Sequence, residues 1–354
     1  MGVRSTNQSN FEGQTSGFLN LNYSGVGPDH RGPEITATGG TKSTPGDGYI
    51  YHRFTSPGNF VVSAGAGAKY NMLVVGAGGG GGDDRGGGGG AGAVYDGTNL
   101  SMGPAATYPV VIGSGGAGGV PNSYPQGSRG KNGTGSSALG VTAPGGTGGG
   151  GAGSGLTNGV DNSSGGSSGG SEEGSTGGTT TNAPNSGNGP YGYPGRGSPQ
   201  GSPLPANGGG GGGAGEGGPV NPSDQPGNPD DRGSIGGQGK QITWLPAPIY
   251  YTSPTVTYST PPGFAYVAAG GFGGGSHESK MSPGPTNPWD MTYQWFGAGS
   301  GGSPTMPTPV GTGPGHPGLP GTGAGGGGGS GAGPTRQGGV GANGVVIIRY
   351  EAAA

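Results

Sequence analysis

The chain has 354 residues, 101 of them glycine and 34 proline, with 27% hydrophobic and 9% charged residues, a formal net charge of −3 and no cysteine. That excludes an ordinary apolar core, a disulfide framework and thiolate metal sites, and it denies nucleic acid the basic face it requires. So low a charge also sets the chain apart from segments held open by polarity, so any order has to come from the glycines themselves.

In chain order, residues 1–48 read as an N-terminal attachment segment. The start, MGVRSTNQSNFEG, has no apolar stretch of signal-peptide type, and the longest aliphatic runs, such as Val345 to Ile348, are four residues. Neither secretion nor membrane insertion is expected. Met1, Gly2 and Thr6 fit the N-myristoylation pattern, but without polybasic support the match is taken as coincidence. In "GFLNLNYSG", Phe18, Leu19, Leu21 and Tyr23 either pack on a partner or form a local strand.

Residues 49–354 read as one glycine-rich domain. Strands are predicted where Val, Ile, Tyr and Phe concentrate: Tyr49 to Phe54, Asn59 to Ser63, Tyr70 to Val75, Tyr108 to Ile112 and Val345 to Tyr350. Pairing of the first with the last would close the glycine region like a base plate. After the third strand, Gly76, Gly78 and Gly81 have the spacing of a dinucleotide fingerprint, which requires a helix to follow. Gly78 to Gly82, Asp83-Asp84-Arg85 and Gly86 to Gly90 forbid one, because each glycine inside a helix costs about 1 kcal/mol relative to alanine. Asp83-Asp84-Arg85 and Asp230-Asp231-Arg232 lack the alternating oxygen ligands of a calcium loop and are expected to be solvated turns with local ion pairing.

The long glycine tracts are Gly78 to Gly82, Gly86 to Gly92, Gly145 to Gly155, Gly208 to Gly218 and Gly323 to Gly333, separated by turn-forming stretches such as Asn182 to Asn188 and Asn221 to Arg232. A collagen register at Gly315, Gly318 and Gly321 is lost at Ala324. The remaining ordered solution packs extended helices of three residues per turn side by side in one chain, where a Cβ would hold the backbones apart. The predicted fold class is therefore mainly irregular and all-β, with stacked polyglycine-II helices clamped by short strands from both ends of the domain.

An aromatic-rich insertion is placed at about 241–300. It holds all three tryptophans, Trp244, Trp289 and Trp295, together with Tyr250, Tyr251, Tyr258, Phe264, Tyr266, Tyr293 and Phe296. Two readings stand: a satellite core or subunit contact, and a recognition surface built on aromatic anchors. His277 to Phe296 reads as an exposed excursion, and Tyr191 and Tyr193 in "NGPYGYPGRG" mark a second candidate loop. Catalysis is not expected. His30, His52, His277 and His316 are scattered, and Gly165-Gly-Ser167-Ser-Gly169 fits the nucleophile-elbow pattern with no strand before it. No metal, cofactor or catalytic residue is assigned.

Five pieces in order make a resemblance: Phe54-Thr-Ser-Pro-Gly58-Asn-Phe60, Met72-Leu-Val-Val-Gly76, Tyr108-Pro-Val-Val-Ile-Gly113, Gly135-Ser-Ser-Ala-Leu-Gly-Val-Thr-Ala143 and Gly344-Val-Val-Ile-Ile-Arg-Tyr350. From Tyr49 onward the chain resembles the glycine-rich domain of bacteriophage virion proteins, especially tail-fibre and tail-tip adhesins. The resemblance implies a polyglycine sandwich as a rigid body, with loops at its tip against the host surface. On that reading Trp289, Tyr293, Trp295, Phe296, Tyr191 and Tyr193 meet a host surface glycan or outer-membrane protein. Phe18, Leu19, Leu21 and Tyr23 join other virion proteins, with three copies around a fibre axis as the expected mounting. A capsid decoration or head fibre is the alternative. An ice-binding role is set aside because regular threonine arrays are missing. Residues 1–48 match no fibre shaft or attachment module.

Overall fold

The computed structural model describes residues 33–121, 128–151, 166–171, 192–195, 208–215, 236–246, 264–271, 273, 314–329 and 336–353. Its strands are β1 (Thr36–Thr38), β2 (Thr41–Ser43), β3 (Tyr49–Phe54), β4 (Gly58–Ala64), β5 (Lys69–Val75), β6 (Val94–Ser101), β7 (Ala106–Val110), β8 (Ser136–Ala138), β9 (Val141–Ala143), β10 (Lys240–Pro246), β11 (Phe264–Val267) and β12 (Val345–Glu351). No α-helix occurs among the described residues.

A five-stranded antiparallel sheet of order β2-β3-β12-β5-β6 is the root of the molecule. Its last strand lies between its first long strands: β12 pairs with β3 from Val346 opposite Phe54 to Glu351 opposite Tyr49, and with β5 on its other side. Both faces of this sheet are covered, which explains the unbroken apolar runs Met72 to Val75 and Val345 to Ile348. Met72, Val74, Val346, Ile348 and Tyr350 meet Ile35, Phe60, Val62 and Val110 of the three-stranded sheet β1-β4-β7. The alternate residues Tyr51, Leu73, Val75, Val345 and Ile347 meet Ile242, Trp244, Leu245 and Val267 of the β10-β11 hairpin. Strands β1 and β2 lie upstream of residue 49 yet pair with β4 and β3, so this sandwich takes in the chain from residue 33.

Beyond the sheets the strands run on as polyglycine-II helices. Residues 76–82 continue β5 and spend their backbone groups in rotation, one neighbour per residue, with a period of three. The amides of Gly76, Gly79 and Gly82 donate to Ala93, Gly90 and Gly87; those of Ala77 and Gly80 to Thr134 and Lys131; those of Gly78 and Gly81 to Ala342 and Gly339, all at 2.9 to 3.0 Å. Carbonyls of the same run accept from Gly146 and Gly149, from Gly116 and Gly119, and from Gly326 and Gly329. The first three partner runs are antiparallel to it, the last three parallel. Six neighbours around one extended helix are a hexagonal packing that near-continuous glycine permits, with alanine only at Ala77, Ala91 and Ala93 toward the sheets.

Residues 86–93 have six neighbours in the same way, bonding to 144–150, 209–212 and 323–329 and accepting from 76–82, from Ser167 and Gly170, and from Gly271. Tracing neighbours outward puts 76–82 and 86–93 at the centre of the lattice. A Cβ on Gly78 would run into the carbonyl oxygen of Ala324, one on Gly80 into that of Ala117, and one on Gly81 into that of Gly327. Runs at the rim have fewer neighbours and carry a side chain at every third, exposed place: Ser114, Ala117 and Val120 on one, Gln337, Val340 and Asn343 on another.

Two outcomes follow. Gly81→Ala is expected to destabilise the protein by at least about 1 to 3 kcal/mol, since backbone has to move to admit the methyl group, whereas Val340→Ala, at a place 45% exposed, is expected to stay within about 0.5 kcal/mol; denaturant unfolding measures both. Deleting residues 345–351 removes the strand between β3 and β5 and is expected to leave the chain unfolded, seen as loss of dispersed amide resonances.

Candidate functional site

The direction of each run gives the molecule two distinct ends. Runs 76–82, 116–119, 144–150, 167–170, 268–271 and 323–329 lead away from the sheets; 86–93, 128–134, 209–212 and 336–342 lead back to them. The described chain therefore breaks off after Pro121, Gly151, Ser171, Gly273 and Gly329 at the far end of the lattice, and resumes there at Ser128, Gly208, Pro314 and Arg336. Pro33, by contrast, sits beyond Thr36, which pairs with Ala64 at the end of β4 remote from the lattice, and Glu351 ends β12 on the same side. Pro33 and the residues that follow β12 thus lie at the sheet end.

Trp289, Tyr293, Trp295, Phe296 and Tyr191 lie outside the described residues, as do Phe18, Leu19, Leu21 and Tyr23. What the structure does place are the described residues that flank the aromatic segment, Gly273 and Pro314, both at the far end. Tyr193 is half-buried in a short lattice run, where its amide donates to Ser167 Oγ at 3.1 Å and its carbonyl accepts from the Ser168 amide.

The first tryptophan of the aromatic segment has a core role. Trp244, on β10, is 8% exposed and donates its indole N–H to Asp96 Oδ1 at 2.7 Å. The Arg349 guanidinium stacks over Trp244 and over Tyr49, 5.0 and 4.1 Å from the ring centroids, and donates to the Trp244 carbonyl. Burial raises the Asp96 carboxyl above its usual range, against the indole hydrogen bond, which lowers it. This group joins β3, β6, β10 and β12 at the sheet's outer face. Four single residues spread from 49 to 349 leave no local motif, so the sequence offers no signal for it.

The far-end turn differs from expectation. Asp83 and Asp84 are buried, not solvated, at 2% and 6% exposure. Asp83 Oδ1 accepts from the Ser128 amide at 3.0 Å, and Asp84 pairs with Arg336 at 2.8 Å as well as with its neighbour Arg85 at 3.7 Å. Asp84 and Arg85 take positive φ, which turns run 76–82 back into 86–93. The turn therefore closes the two central helices and ties them to rim runs, through the Asp83 carboxylate on the Ser128 amide and the Asp84 carboxylate on Arg336. Ser167 is likewise fully buried in the lattice, its amide on the Ala91 carbonyl, in no elbow. Among the described residues no group of three or more His, Asp or Glu is placed to hold a metal ion, and no helix is long and apolar enough to cross a membrane.

His52 is the one fully buried imidazole at the root. Its Nδ1 lies 2.7 Å from the Gly39 carbonyl, which can only accept, so Nδ1 carries the proton and Nε2 accepts from the Tyr350 hydroxyl at 2.9 Å. Burial first, then the nearby Lys42 charge, pull its pKa below 6.5, against the Gly39 bond, which raises it. Above pH 6.5 neither folded nor unfolded chain protonates here. Below it the unfolded chain binds a proton that the folded one refuses, so stability is expected to fall as pH drops from 6.5 toward the folded pKa. Denaturant unfolding of the native chain and His52→Asn at pH 8 and pH 5 should show the steeper loss in the native chain, even though the variant is weaker at both.

A comparison with curated proteins finds no match. A family model described as a glycine-rich domain matches residues 55–351, from the loop after β3 to the end of β12, and so takes in the lattice and most of the sandwich. The chain belongs to this glycine-rich domain family.

Proposed function

We propose that this chain is a bacteriophage virion structural protein, a tail-fibre or tail-tip subunit that recognises the host cell surface and carries out no catalysis. The observation that supports the reading is the polarity of the fold. Pro33 and the residues after β12 lie at the sheets, while Gly273 and Pro314, the described residues that flank the segment with Trp289, Tyr293, Trp295 and Phe296, lie at the opposite end of a rigid lattice. A protein mounted by one end and reading a surface with the other is built this way. Its hydrogen-bonded interior lets the far loops vary without disturbing the mount.

In this reading the N-terminal segment, through Phe18, Leu19, Leu21 and Tyr23, faces other virion proteins, three copies gather around the fibre axis, and the aromatics stack on a glycan or an outer-membrane protein. No cofactor takes part. The triple replacement Trp289→Ala, Tyr293→Ala and Trp295→Ala is expected to abolish adsorption of particles to host cells while the melting temperature of the isolated chain stays unchanged. Full adsorption by the triple variant would overturn the recognition role. Immunogold labelling of intact particles with an antibody to residues 277–296 should mark the tail, and label on the head would instead favour a capsid decoration or head fibre.

A further inference from the structure

At the sheet end, remote from the lattice, the two packed sheets open into a cavity of about 470 Å³. Its apolar lining is Ile35, Ala68 and Tyr70, buried members of the core that each keep 8% of their surface exposed, and Pro33 shares the rest of the lining with charged residues such as Glu34, Lys69, Arg349 and Glu351. Two register shifts lie beside it, between Thr36 and Ala37 of β1 and between Tyr70 and Met72 of β5. Bulges bend and twist the strands that carry them, and here they stand where the sheets part.

We propose that this cavity is a socket for the chain's own residues 17–25, docked in the same molecule. Two features of the chain select that occupant. Residues 1–32 join the described fold at Pro33, on the cavity's rim, whereas the chain after β12 is already engaged, the Ala352 amide donating to the Gly48 carbonyl. In "GFLNLNYSG" strict alternation puts Leu19, Leu21 and Tyr23 on one side of an extended segment and Phe18, Asn20 and Asn22 on the other. The stretch from Tyr23 to Pro33 reaches at most about 33 to 36 Å when extended, and the turn former Gly27-Pro28 within it lets the segment double back. Leu19, Leu21 and Tyr23 finish the core, which leaves Phe18 for a virion partner and so narrows the mounting proposed above without depending on it.

The absence of cysteine makes a direct test clean. In the full-length chain, Leu21→Cys with Ala68→Cys is compared with Asn20→Cys with Ala68→Cys, and with Leu21→Cys with Val61→Cys, whose second site lies on the sandwich exterior at 37% exposure. Under mild oxidation the first pair is expected to close an intramolecular disulfide about tenfold faster than either control, as docking raises the local concentration of the two thiols. Equal rates, or links formed only between copies, would overturn the proposal. If a cysteine pair lowers the melting temperature, hydrogen exchange on the unaltered chain decides: amides of residues 19–23 should be protected relative to residues 4–14, and equal exchange sinks the socket. Neither measurement involves a virus particle, so failure of the host-recognition reading leaves this outcome legible.

Discussion

The structure depends on one constraint: an extended helix of three residues per turn can satisfy all its backbone groups only by meeting neighbours at a spacing that leaves no room for a Cβ. Each run therefore needs its neighbours in the correct height and direction before any of its hydrogen bonds form. The sheets supply that height. Strands β5, β6, β8, β9, β10, β11 and β12 each pass directly into or out of a lattice run, so the ladder that sets Val75 opposite Val345 also sets Gly78 level with Ala342. Apolar burial thus acts at a distance, by fixing the register of helices that have almost nothing apolar to bury.

This division explains where side chains are tolerated. The central runs 76–82 and 86–93 have neighbours all round and contain only glycine and alanine outside their Asp-Asp-Arg turn. Rim runs keep one free direction and use it for a side chain at every third residue. Some of these side chains replace missing main-chain partners: Asn343 Oδ1 accepts from the Gly115 amide and Asn132 Oδ1 from that of Gly148. Buried hydroxyls do the same inside, as where Thr147 Oγ1 accepts from Gly169 and Ser168 Oγ from Gly195. Without such substitutes each lattice edge would carry buried amides with no acceptor, which cost about 1 to 3 kcal/mol apiece.

Much of this was readable in advance, and the gaps have a common cause. The five apolar segments from Tyr49 to Tyr350 appear as β3, β4, β5, β7 and β12, and the first and last do pair. The long glycine tracts are lattice helices as far as they are described. The rim helices were not legible as helices, because "GSGGAGGV" from Gly113 and "RQGGVGANG" from Arg336 look like interrupted tracts unless read with a period of three. Short strands β1, β2, β8 and β9 carry too few apolar residues to announce themselves. Strand β10 was hidden for the opposite reason: its Ile242, Trp244 and Leu245 face the central sheet, and only the sheet's second apolar face reveals why a tryptophan belongs there. Of the candidate recognition residues, Tyr193 alone falls among the described residues, and it belongs to a lattice run.

The lattice also bears on how loops can be attached to it. In an ordinary core a loop grows out of side-chain packing, and changing the loop disturbs the packing beneath it. Here the layer beneath the far-end loops is main chain bonded to main chain, closed at its central turn by Asp83 and Asp84 on Ser128 and Arg336. A new loop sequence need only leave and rejoin at the same two backbone positions, since the hydrogen bonds below it do not depend on side-chain identity. A scaffold of this kind imposes strict limits on composition within its helices and almost none between them, which is what the proposed recognition role would require of it.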